Sequence, residues 1–145
     1  MIHAHIDISK GLDGEAVVLA CFDLGDDELR ASAHAVAAAA AERYRTAAMS
    51  SDDVLALREL TALTDELRDL ALRPGMRTVV LRPARLTALR DAVAYFVESR
   101  DHAEWIREED REPLALAHGL MDPLEDLCAD ALRAALTGSL EPRSC

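Results

Sequence analysis

Met76–Phe96, MRTVVLRPARLTALRDAVAYF, decides how the chain is built. Thr78-Val79-Val80-Leu81 is short, apolar and β-branched, which predicts a strand. Pro83 follows where its missing N–H is no loss, in the first turn of a helix. Leu86, Leu89, Val93, Phe96 and Val97 then recur at helical spacing and mark a core face that runs to about Arg100. Upstream, Arg73-Pro74-Gly75 closes an earlier helix. That helix is capped by Ser51 or Asp52 and carries a stripe of Leu57, Leu60, Leu63, Leu67 and Leu70.

The same order appears once before. Ala16–Phe22 reads as a strand, Asp23–Asp27 supplies acidic caps, and a helix from about Asp27 to Ala48 follows. Its face is Leu29, Ala33, Val36, Ala37, Ala40 and Tyr44. At one constant offset Leu29 falls on Leu86, Ala35-Val36-Ala37 on Ala92-Val93-Ala94, and Leu57 on Leu114. Val17-Val18-Leu19 matches Val79-Val80-Leu81 at a larger offset, as a longer loop in the first copy would give. The expectation is an internal strand–helix–helix duplication, residues 15–72 and 76–137, related by a pseudo-twofold axis. Ahead of it, residues 2–8 alternate strictly: Ile2, Ala4, Ile6 and Ile8 point one way, His3, His5 and Asp7 the other. Ser9–Gly14 is turn chemistry, so the two N-terminal strands form a hairpin.

Residues 101–112 are charge-rich around Trp105 and Ile106, and propensity does not separate a loop from a helical continuation there. Pro113 suits the start of a last helix reaching Leu136. Pro123 lies inside it and opposes the carbonyl of Gly119, so a kink or break is expected at 119–122. The whole predicts one α+β domain over residues 1–138, with 139–145 as a flexible tail. Its sheet is antiparallel and three-stranded, with four main helices on one face.

Composition limits the function. Net charge is −11, which argues against nucleic acid and anionic lipid as partners. Arg73, Arg77, Arg82, Arg85 and Arg90 are close in sequence but read as solvated helix and loop charge. No apolar segment approaches the roughly 20 residues of a membrane span. The N-terminus lacks the basic region and apolar core of a secretion signal. Three cysteines, Cys21, Cys128 and Cys145, suit free thiols in a reducing cytoplasm, the first two as small core residues. There is no glycine-rich phosphate loop, so no cofactor is implied, and no nucleophile–base arrangement can be read from spacing.

Candidate sites are few. His3, His5 and Asp7 share a strand face on which two imidazoles and a carboxylate can converge on a metal such as zinc. His34, His102 and His118 are scattered over separate elements, His118 close to the expected kink. The acidic clusters Asp23–Glu28 and Glu108–Glu112 read first as solvated loops and helix caps; the alternative is a negative surface offered to a basic partner. Trp105, the single tryptophan, reads first as a buried anchor; if exposed, Trp105 and Ile106 become a partner-binding hot spot. The leading expectation is a non-enzymatic, acidic interaction or regulatory protein. It meets a protein partner, or a second copy in a homodimer, through a helix face or sheet edge. The alternatives are a metal protein or small enzyme on the His/Asp strand face, and a binder of small apolar ligands in a pocket between the repeats.

Overall fold

The computed structural model describes residues 1–46, 50–75 and 77–137, with the backbone alone for Ile2. The elements run β1 (Ile2–Lys10), β2 (Ala16–Leu24), α1 (Asp26–Thr46), α2 (Ser51–Ala71), β3 (Arg77–Leu81), α3 (Pro83–Asp101) and α4 (Glu108–Thr137). This is the expected α+β architecture of three strands and four helices. The strands form one antiparallel sheet with β2 in the centre. The β1–β2 turn closes through Gly11 N–H to the Glu15 carbonyl and Gly14 N–H to the Gly11 carbonyl. Gly14 holds φ +82° there, a conformation that a Cβ would strain. The order strand–helix–helix occurs twice, but the lengths differ: the second unit has a five-residue strand and ends in a 30-residue helix. The expected tail, 139–145, lies outside the described residues.

Alternation sorts the sheet into two faces. Ile6, Ala20, Phe22, Leu24, Val79 and Leu81 point into the core, where Phe22 and Phe96 are the largest fully buried side chains. The opposite face carries His5 and Asp7 from β1, Val17, Leu19 and Cys21 from β2, and Thr78 and Val80 from β3. A three-stranded sheet is only about 10–15 Å wide at the usual strand spacing, room for about two helices. Accordingly α3 and α4 lie on the strands, while α1 packs against α2, α3 and α4 instead of the sheet. The four helices therefore form a bundle, not one layer over the sheet.

That position explains the burial of α1. Leu29, Ala31, Ser32, Ala33, Ala35 and Val36 are all buried, because the helix has neighbours on several sides and alanine allows close approach. Tyr44, expected on its core face, is 67% exposed at the far end. The α3 stripe is buried as expected; on α2 only Leu63 and Leu67 are fully so. The N-cap of α2 is Ser50, one residue earlier than expected, its Oγ accepting from Asp53 N–H.

Three other expectations are corrected. Residues 108–112 are the first turn of α4, which is continuous through Pro113 and Pro123. Gly119, whose carbonyl Pro123 deprives of a donor, is exposed, so water can replace that bond and no break is forced. Arg77 is buried, not solvated: it donates to the Ala71 carbonyl at 3.2 Å and pairs with Asp26, tying the end of α2 to the start of α1. Of the others, Arg85 pairs with Glu59 and Glu66, and Arg90 with Asp91 and Glu125, while Arg73 and Arg82 are exposed as expected. Among the described residues no helix is long and apolar enough to cross a membrane.

Ser32 Oγ is buried without a hydrogen-bond partner among the described residues. An unmet buried hydroxyl costs free energy, so Ser32→Ala is expected to stabilise the protein by about 1 kcal/mol. Urea denaturation of the two proteins at equal pH checks the sign.

Candidate functional site

Two regions bring functional side chains together: the open face of the sheet and the outer surface of the helices. On the sheet, β1 and β2 place His5 directly opposite Cys21, with Asp7 two residues along β1 on the same face. His5 Nε2 lies 3.7 Å from Asp7 Oδ2, and Cys21 Sγ lies 3.7 Å from the same oxygen as its donor. The side chains of His5 and Asp7 are more than half exposed, and Cys21 is buried beneath them. Burial first, then the Asp7 carboxylate, pushes the Cys21 thiol up from its ordinary value.

His3 does not join this group. The β1–β2 register shifts between Ile2 and His5, and His3 takes φ +52°, so the strict alternation fails at that residue. Its carbonyl instead accepts from His5 Nδ1 at 3.2 Å. Cys21, expected as a small core residue and indeed buried, supplies the third group. Its role depends on a cross-strand register that the hairpin sequence does not display.

On the helical side a buried carboxylate joins three helices. Asp110, in the first turn of α4, accepts from His34 Nε2 of α1 at 2.7 Å and from Arg100 Nε of α3 at 3.0 Å. Asp110 is 4% exposed, against the expectation of a solvated acidic cap. Burial pushes its carboxyl up, but the bonds from His34 and Arg100 and their charges together hold it below the usual carboxylate value. Arg100 and His34 both also contact the ring of Phe96, by its face and in a T-shaped arrangement. Ser99 Oγ accepts from Arg100 at 3.1 Å and has no base beside it in these contacts, so the geometry of the cluster is that of a tie between helices. His118 is exposed and pairs with Asp101 at 3.0 Å; His102 is the exposed C-cap of α3.

A groove of about 510 Å³ runs over the helices, with walls from α2 and α3 and a floor from the second half of α1. Ala39, Ala56, Ala84, Ala88 and Ala92 with Leu60 make its apolar lining, and along it stand Arg43 and three carboxylates, Glu42, Glu59 and Asp91, which pair with Arg45, Arg85 and Arg90. It exists because α2 is held through α1 and scarcely touches α3. The groove adjoins a second depression through two shared residues, Glu42 and Tyr95. At the end of that depression Trp105 is 71% exposed, so it is not the buried anchor first read from the sequence. Ile106 beside it turns inward and packs on the core.

No protein-family model, curated protein or solved structure matches this chain.

Proposed function

We propose that the protein is a non-enzymatic interaction module that seats a basic amphipathic helix of a protein partner in the groove between α2 and α3. The observation that carries this reading is the pairing of an alanine-lined trough with carboxylates along it. Small side chains let another backbone approach closely, and an apolar stripe flanked by Lys or Arg complements both lining and charge. Trp105, at the end of the adjoining depression, is the aromatic contact most available to the same partner. The net charge of −11 favours a cationic partner and disfavours nucleic acid. It also makes a second copy the poorer occupant, because two chains of that net charge repel.

The test is fluorescence anisotropy of a labelled amphipathic helical peptide, with alanines on one face and lysines on the other, titrated with full-length protein. Saturable binding is expected, weakened by at least about tenfold (1.4 kcal/mol) in Ala88→Arg, which places bulk and like charge in the trough. Trp105→Ala is expected to weaken it further. Failure of the peptide to bind, or equal affinity in a folded Ala88→Arg protein, overturns the proposal.

A further inference from the structure

We propose that His5, Asp7 and Cys21 form a binding site for a divalent metal of the zinc class on the open face of the sheet, independent of the helical groove. One nitrogen, one oxygen and one sulfur atom from these residues all lie within 4.8 Å of one another. A tetrahedral zinc ion with bonds of about 2.0–2.3 Å sets neighbouring ligand atoms roughly 3.3–3.8 Å apart. The separations from Asp7 Oδ2 to His5 Nε2 and to Cys21 Sγ are both 3.7 Å, inside or close to that range, and side-chain adjustment of the exposed His5 and Asp7 closes the remaining His5–Cys21 separation onto the ion.

The contact behind the imidazole is the second support. The His3 carbonyl can only accept, so the hydrogen bond from His5 Nδ1 places the neutral ring's proton on Nδ1. Nε2 then turns its lone pair toward the Asp7 carboxylate, another acceptor. Two acceptors facing each other want a cation between them. A backbone carbonyl on the rear nitrogen is also how metal-binding histidines are commonly fixed in tautomer and orientation. His3 earns its place through the main chain: the bulge and its φ of +52° carry its carbonyl to the ring.

The donor set selects the metal. Mg²⁺ and Ca²⁺ take oxygen ligands, whereas imidazole with thiolate suits Zn²⁺ and Co²⁺. A neutral imidazole, a carboxylate and a thiolate balance the two positive charges, the thiol proton passing to solvent. His5 and Asp7 are 57% and 60% exposed at their side chains, so water reaches the fourth position.

The experiment is a Co²⁺ titration of reduced full-length protein carrying Cys145→Ser, which removes the terminal thiol from the readout, followed by Zn²⁺ competition. The expected result is one Co²⁺ per chain with a thiolate-to-cobalt charge-transfer band, displaced by Zn²⁺ and not by Mg²⁺. Cys21→Ser abolishes that band. His5→Ala and Asp7→Asn weaken binding by at least about tenfold, the lower end of what even outer-shell changes cost. His3→Gly retains binding, because glycine accepts the positive φ and keeps the carbonyl. Absence of the charge-transfer band, its persistence in Cys21→Ser, or unchanged affinity in folded His5→Ala overturns the site. Loss of binding in folded His3→Gly with no change in His5→Ala would do the same.

Discussion

Phe96→Ala is expected to lower the free energy of unfolding by about 4 kcal/mol, within the range for large aromatic truncations in a core. Phe96 is fully buried on α3, between the sheet-facing core and the bundle. Truncation leaves a cavity, and the close packing of interiors means neighbours fill it only in part. It also removes the ring under the Arg100 guanidinium, whose carbon lies 5.0 Å from the centroid, and the T-shaped partner of His34. For a chain of this size the change corresponds to a fall in Tm of roughly 15 °C. Phe96→Leu keeps most of the volume and should cost distinctly less. Urea denaturation with an unchanged slope, alongside calorimetry, measures both; similar losses for the two variants would mean that the ring's volume is not what matters.

Asp110→Ala is the second large loss, about 3 kcal/mol at neutral pH, because removing one partner from a buried charged cluster strands the others. Both stranded groups are partly exposed, His34 at 36% and Arg100 at 29%, so water reaches them and keeps the loss at the low end for such removals. Asp110→Asn should restore little: its amide presents a donor where His34 or Arg100 also donates. The pH dependence has a definite sign. The carboxyl's folded value lies below its unfolded one near 3.9, so its contribution is complete above that unfolded value. It is lost as pH falls from about 4 through the lower folded value. The gap in stability between wild type and Asp110→Ala should therefore be wide at pH 7 and shrink in strong acid. A gap that stays constant down to strong acid would show that the ionised carboxylate is not the stabilising species.

The local patterns of the sequence carried over well where a single element decides the outcome. The α3 stripe, the strand runs around Val18 and Val79, and the core-facing Ile6 and Ile8 all lie where alternation and helical spacing put them. What was not legible depends on partners distant in the chain. Asp110 looks like any cap residue until α1 and α3 bring His34 and Arg100 to it. Cys21 looks like a core residue until register sets it across from His5. His3 was read as a ligand from strict alternation, and one bulge removed it from the face. Trp105 follows a base rate in the sequence, and the short connection between α3 and α4 leaves it outside. Pro123 signalled a kink or break; the helix runs on without the break, which an exposed Gly119 makes unnecessary.

The acidic groove stands or falls on where a cationic helix lands. The direct measurement is an amide NMR titration of isotope-labelled full-length protein with the lysine–alanine peptide. Binding in the groove predicts shifts at Ala39, Glu42, Ala56, Ala84, Ala88 and Asp91, with the Trp105 indole moving and His5 and Asp7 still. Shifts confined to the open sheet face, or none at saturating peptide, would contradict it.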